Sequence, residues 1–417
     1  MDVFSVFTPG KTPTITLVND HLIKKQQAFE DALKQGGMLI NISGPSKSGK
    51  TVFVKNIVGG ENLIPVSGAG VTSADDLWLR VFHLIGTPIT ASVTKDESVT
   101  VGIGGSAKVS GSVLVAKAEG AINTSAGTIS KDGSSNTIAI DYLQLLIKEM
   151  GGTDFVLFID DFHYIERGTQ DEVARQIKEA IDKDVRIACA SVPHHSEDVL
   201  RANSDLRGRI VNIDFDYWPV EALKQIPEKG FAALNVDITA KLISSFVAEV
   251  AGSPQLMQSL CLNACLEDNI RNTLTQPRGL PETAEYYSNA CVRTAVSADY
   301  SSTLEKLEDG PKTRGTERIQ YRLNDRSVGD VYTILLQAIA LDPPNLHFRY
   351  AELQDRIKRV CEKETPVGSS VTGACLHIAQ LANDGQARAI VDWDATEDIL
   401  DIRDPYLLFY IRWNKPR

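Results

Sequence analysis

Along the first 217 residues the hydrophobic positions switch between two periods. Gln26-Gln27-Ala28-Phe29-Glu30-Asp31-Ala32-Leu33 sets Phe29 and Leu33 four apart, on one face of a helix. Gly36-Gly37 ends it. Met38-Leu39-Ile40-Asn41-Ile42 is a short apolar run suited to a strand buried on both faces, and residues 51–57 read as the next helix. The alternation returns after 138. Tyr142-Leu143-Gln144-Leu145-Leu146-Ile147 is helical, residues 155–159 and 185–190 are apolar strands, and a helix lies around 172–183. Strands alternating with helices predict a parallel sheet covered on both faces.

Two stretches depart from this rhythm. From about 94 to 137, Val99, Val101 and Ile103, then Val113 and Val115, alternate with small polar residues among seven glycines and no aromatics. That composition reads either as a low-complexity surface insertion or as a projecting hairpin. From 218 onward few strands are expected. Leu242, Phe246 and Val250 fall four apart, and Leu256, Leu260 and Leu262 follow, which predicts a helical domain. After Leu341-Asp342-Pro343-Pro344 come helices near 350–361 and 369–382, then a hairpin of residues 389–393 and 399–402, the order of a winged helix. The expected division is an α/β core over 1–217 carrying the 94–137 insertion, a helical domain over 218–327 and a winged helix over 328–417.

Composition narrows the functional classes. With 43 Lys plus Arg against 54 Asp plus Glu, the net charge of −11 argues against a surface that wraps nucleic acid as a whole. Hydrophobic residues at 43% and charged residues at 23% exclude a mainly disordered chain. The six cysteines form no C-x-x-C pair and read as buried thiols of a reducing compartment. Met1-Asp2-Val3-Phe4 lacks the basic start of a secretory signal, and no apolar run approaches about 20 residues. A cytoplasmic protein without membrane association is expected.

The chemistry concentrates at Gly44-Pro45-Ser46-Lys47-Ser48-Gly49-Lys50-Thr51, a full match to G-x-x-x-x-G-K-[ST] placed between a strand and a helix. In that pattern backbone N–H groups cradle phosphates, Lys50 reaches the β- and γ-phosphates, and the Thr51 hydroxyl ligates Mg²⁺. Residues 155–159 then run into Asp160-Asp161. A carboxylate at the C-terminal end of a parallel strand faces the ligand crevice. Asp160 is expected to hold Mg²⁺ through water, and Asp161 to position or deprotonate the attacking water, or alternatively to cap the next segment. Ser191 closes a strand expected beside the phosphate-loop strand, where a hydroxyl would sense the γ-phosphate or cap a turn. Arg201, Arg207 and Arg209 follow, and an Arg so presented reaches a neighbouring subunit's γ-phosphate or remains solvated or salt-bridged.

Together with Gly252-Ser253-Pro254 in the helical domain, these motifs resemble the AAA+/STAND group of P-loop ATPases, in a layout similar to origin-recognition-type ATPases. The resemblance implies a three-layer αβα core with a parallel sheet, an all-helical lid and a C-terminal winged helix. It implies ATP and Mg²⁺ as ligands, with Pro254 at the lid position near the base. It also implies an ATP-driven switch that forms homo-oligomers, a role that in bacterial relatives often serves defence against phage. Asp161 stands where faster motors carry Glu, which suits slow hydrolysis. No effector domain is recognisable in the chain, so a separate effector protein is expected as partner.

Other signals carry less. Seven histidines show no metal spacing. Arg314, Arg318, Arg322 and Arg326 recur every four residues and would form a basic stripe on a helix, either solvated and paired to acids or a docking strip. Residues 369–382 contain no Lys or Arg, and the wing carries Asp392, Asp394, Glu397, Asp398 and Asp401. Those acids repel phosphates, so nucleic acid is not the favoured partner. The rival readings are an initiator-type or transposition-regulator-like ATPase that binds DNA, and a nucleotide-binding scaffold with negligible hydrolysis.

Overall fold

The computed structural model describes residues 1–87, 140–192, 206–312, 317–386 and 389–414. The insertion expected over 94–137 and Arg201 lie outside the described residues. The chain forms two units: Lys24–Gly44 with Lys50–Phe215, and Met1–Ile23 with Pro45–Gly49 and Asp216–Arg417.

The first unit is built on five parallel strands: β1 (Leu39–Ser43), β2 (Leu63–Ser67), β3 (Val156–Asp160), β4 (Arg186–Ser191) and β5 (Ile210–Asp214). Their order is β2-β3-β4-β1-β5, so the Ser191 strand does lie beside the phosphate-loop strand. Alternation along the strands sorts the core. Leu39, Leu157, Ile159, Ile187 and Cys189 share one hydrophobic cluster with Leu77, Trp78, Val81 and Phe82 of the Ala74–Ile85 helix, and with the Tyr142–Met150 and Arg167–Ile181 helices. Ile40, Ile42, Phe158 and Ala188 are buried outside that cluster. There Phe29 of the Ile23–Gln35 helix meets Phe53 of the Lys50–Val58 helix, and Phe53 meets Phe215. Burial of each such large side chain stabilises by about 1.5–3 kcal/mol. The result is the three-layer αβα arrangement with a parallel sheet.

The second unit holds two adjoining cores. Helices Val220–Ala233, Ala240–Glu249, Pro254–Glu267 and Ala284–Ala298 form the first, together with Val3, Val6 and Phe7 from the chain's opening residues. Cys261 and Cys265 are packing groups inside it. Helices Val331–Ala340, Tyr350–Val360 and Gly368–Asn383 form the second with a three-stranded antiparallel sheet ordered His347–Arg349, Ile399–Ile402, Val391–Asp394. This is the helical lid and winged-helix arrangement, with one strand more than the expected hairpin. The last helix, Pro405–Trp413, serves both cores. Leu407 and Leu408 belong to the wing cluster, Phe409, Tyr410 and Trp413 to the helical one. Arg412, fully buried, donates to Glu249 and to Asp342 at 2.6 Å.

The basic stripe expected on a helix does not form among the described residues. Gly310, at φ 61, closes the Ser301–Asp309 helix, and none of the described residues between it and Val331 is helical. Arg322 lies in a two-residue strand, Tyr321–Arg322, paired with Val328–Gly329, and Arg326 sits in the turn between them at φ 71. Asp325 fixes that turn by accepting from Ser327 N at 2.9 Å. Arg318 is drawn inward to Asp330 at 2.7 Å and over the Tyr332 ring. Among the described residues the four-residue spacing therefore has no helix to act on, and Arg314 lies outside them. No helix among the described residues is long and apolar enough to cross a membrane.

Candidate functional site

The phosphate loop leaves β1 through Gly44, whose φ of 153 is open to glycine. A Cβ there would stand 2.4 Å from Phe215 Cβ and 2.9 Å from Phe215 O. The close approach follows from the strand order: Phe215 N donates to Ser43 O at 2.6 Å as β5 ends beside β1. Gly44 N donates to Ser191 O at 3.2 Å, which anchors the loop's root to the end of β4. Pro45 and Ser46 are half-buried, and Lys47 adopts a left-handed φ of 60. Ser48 N donates to Pro45 O at 3.4 Å, and Gly49 takes φ 95 before the Lys50–Val58 helix opens. The first N–H groups of a helix have no intrahelical acceptor, so this end offers donors to an anion.

Lys50 bends back across the loop and donates to Gly44 O at 2.7 Å. Burial pulls its ammonium down to about 8, against the upward pull of the Asp160 and Asp161 carboxylates. Thr51 is exposed, and its hydroxyl donates to Asp160 Oδ2 at 2.7 Å. Asp160 ends β3, and its other oxygen accepts from Asp161 N at 2.9 Å. Asp161 stands in the left-handed region at φ 59. It occupies the N-cap position of the Phe162–Tyr164 turn, yet its side chain makes no capping hydrogen bond. Gly68 permits this turn, since a Cβ there would meet Asp161 O at 2.7 Å. Ser191 pairs in register with Ser43 and is buried.

The loop's middle belongs to the second unit, and there the structure supplies residues the sequence did not flag. Trp218 Nε1 donates to Ser48 O at 2.8 Å, and the ring passes 3.8 Å from where a Gly49 Cβ would be. Trp218 N takes Gly252 O at 3.0 Å, and Gly252, at φ 81, leaves room for Tyr217. Ser253 caps the next helix by accepting from Leu256 N, with buried Pro254 as its first residue. One indole thus joins the phosphate loop to the Gly-Ser-Pro turn. Lys47 Nζ donates to both carboxylate oxygens of Asp404, at 2.7 and 2.6 Å.

The arginines are not brought to this place. Leu39 is in register with Ile210, so Arg209 flanks the N-terminal end of β1 while the loop leaves its C-terminal end. Five residues at about 3.3 Å each separate the two ends. Arg209 ion-pairs with Asp182; Arg207 is exposed, with no ion pair among the described residues.

The donor set suits a phosphate chain with a hard cation. A hydroxyl and a carboxylate meet at Thr51 and Asp160, oxygen ligands of the kind Mg²⁺ takes. Among the described residues, Ser48 Oγ and Ser191 Oγ are buried without a hydrogen-bond partner. Orphaned polar atoms of this kind are uncommon and call for a ligand or water.

The chain is similar over most of its length to solved structures. A Walker-type ATPase of Pyrococcus abyssi aligns with 93% of this chain and 95% of its own at TM-score 0.53 and 14% identity. At this identity the likeness is one of fold, that of a Walker-type ATPase. Cdc6p from Pyrobaculum aerophilum (98% of this chain, 96% of that one, TM-score 0.44, 11% identity) and the ORC2 protein of Aeropyrum pernix (98% and 96%, 0.46, 13%) are more distant matches. No family model and no curated protein matches the sequence. The phosphate loop, Asp160 and Ser191 come from the C-terminal ends of three neighbouring central strands of the sheet, β1, β3 and β4.

Proposed function

We propose that this protein is an ATP-binding switch with a slow ATPase activity. The observation that carries the reading is the Thr51 hydroxyl on the Asp160 carboxylate, at the start of a helix whose Lys50 is folded into the loop. In this reading the loop N–H groups and the helix N-terminus bind the phosphates, and Lys50 gives up Gly44 O to reach the outer ones. Thr51 and Asp160 would hold Mg²⁺, which when bound neutralises phosphate charge. Asp161, directly after the strand-ending Asp160, orients the attacking water and takes its proton. Ser191 offers its hydroxyl to the phosphate end, and Pro254 borders the base. Parts 1–217, 218–327 and 328–417 would act as ATPase core, lid and winged helix. Arg207 and Arg209, set apart from the loop, would serve a neighbouring copy's site in a homo-oligomer. A separate effector would read the state of the assembly.

Nucleic acid is not the favoured partner. Of the wing acids, Asp392 and Asp401 pair with Arg403, at 2.5 and 3.9 Å, and the group still opposes phosphates. Phosphate release from Mg-ATP is the test, comparing wild type with Asp161→Asn. The variant keeps the shape of the side chain and loses the base. Turnover should fall by about 10²–10⁴ while ATP binding persists. Equal turnover would remove Asp161 from the mechanism, and no turnover by wild type in any assembly state would favour a scaffold without hydrolysis.

A further inference from the structure

We propose that Lys47 and Asp404 form a latch, opened by a nucleoside triphosphate, through which occupancy of the phosphate loop is passed to the C-terminal helix Pro405–Trp413. The inference rests on the nucleotide reading of the loop and adds where its signal goes. Lys47 is the loop's second cation, three residues before Lys50, and its left-handed φ of 60 fixes where the side chain leaves the loop. Its ammonium holds both oxygens of Asp404 and lies 4.3 Å from the centroid of the Tyr406 ring. The pair is mostly screened from water: the side chains are 25% and 13% exposed.

Asp404 has other duties. It accepts from Tyr300 Oη at 2.7 Å and caps the terminal helix by accepting from Tyr406 N at 2.9 Å. Tyr406 in turn shares a 2.5 Å hydrogen bond with Ser259 and donates to Gln255 O at 3.2 Å, both on the Pro254–Glu267 helix. The start of the terminal helix is therefore fixed by one cation and two tyrosines, and its far end by Arg412 on Glu249 and Asp342. The cation is the only member of this set that sits in a loop built for phosphates.

A triphosphate in the loop carries several negative charges, against one on Asp404, and ammonium follows the larger charge density. When Lys47 turns to the phosphates, Asp404 keeps its tyrosine and its capping bond but loses its counter-ion. The helix start then has fewer ties, and the wing and helical cores that share this helix can shift against it. Binding and release are reciprocal: whatever holds the latch shut weakens triphosphate binding by the same factor.

The test uses the full chain with Mg²⁺ and a non-hydrolysable ATP analogue. Calorimetry gives affinity, and amide hydrogen exchange of residues 408–413 gives the state of the helix. In wild type the analogue should raise exchange at these amides at least fivefold. Lys47→Gln should show the raised exchange without nucleotide and no further rise with it. Asp404→Asn retains a capping side chain and removes the competing charge, so it should bind the analogue at least threefold more tightly. Wild type that binds the analogue with unchanged exchange, or D404N that binds it equally or more weakly, overturns the latch alone. Wild type that binds no analogue overturns the nucleotide reading and the latch together. If D404N fails to fold, the exchange of K47Q decides.

Discussion

Gly44→Ala tests how the sheet shapes the loop. The added Cβ would lie 2.4 Å from Phe215 Cβ, 2.9 Å from Phe215 O and 3.1 Å from Phe215 Cα. Carbon atoms rest at about 3.5–4.0 Å, so the two chains must part by roughly 1 Å. Neither yields easily. Phe215 N is bonded to Ser43 O at 2.6 Å, and the Phe215 ring is buried against Phe53. Overpacking of this kind costs about 1–3 kcal/mol, and the backbone conformation adds about 1–2 kcal/mol for any residue with a Cβ. The sum, about 2–5 kcal/mol, should lower the urea midpoint by about 1–2 M at an m-value near 2–3 kcal/mol/M. Gly59→Ala is the control. Gly59 has φ 81 and nothing within 4 Å of the added atom, so it carries the backbone cost without the clash. G44A should be clearly the less stable variant, and any folded fraction should bind ATP poorly because the loop root has moved. Equal midpoints for the two variants would refute the argument that Phe215 sets the loop's path.

Two further outcomes follow from the same geometry. Trp218→Phe removes the bond to Ser48 O but keeps an aromatic ring beside His21, so ATP affinity should drop about fivefold, the worth of a hydrogen bond near 1 kcal/mol, with little change in melting temperature; unchanged affinity would dismiss the indole as a support of the loop. An Arg207→Ala/Arg209→Ala subunit mixed with a Lys50→Ala subunit should hydrolyse ATP faster than the sum of the two alone, because each supplies what the other lacks; simple additivity in co-assembled samples would exclude a shared site.

What the sequence displayed and what it hid differ in physical kind. The phosphate loop, the Asp160-Asp161 strand end and Ser191 were legible because each is a local pattern whose place in a parallel sheet follows from the strand before it. Strand β2 was not, since Pro65 interrupts its apolar run; the structure accommodates it because β2 is an edge strand, where a missing N–H costs no ladder bond. The Arg314–Arg326 spacing misled because periodicity speaks only once a helix exists, and the described residues from the Gly310 helix end to the Asp325 turn form none. Trp218, Asp404 and Tyr406 were invisible as site residues. They lie 170 or more positions from the loop they touch, and only long-range packing brings them there. Nor was the service of the Pro405–Trp413 helix to two cores legible.

The most direct measurement is a calorimetric titration of ATP with Mg²⁺ into the wild-type chain and into Lys50→Ala. Lys50 folds back across the loop onto Gly44 O, and its ammonium is held there in spite of the burial that pulls it down to about 8. Wild type should show saturable ATP binding at one site per chain and the variant should lose it, with both proteins melting as folded chains. Equal affinity in the two, or no binding by the wild type, would contradict the nucleotide reading.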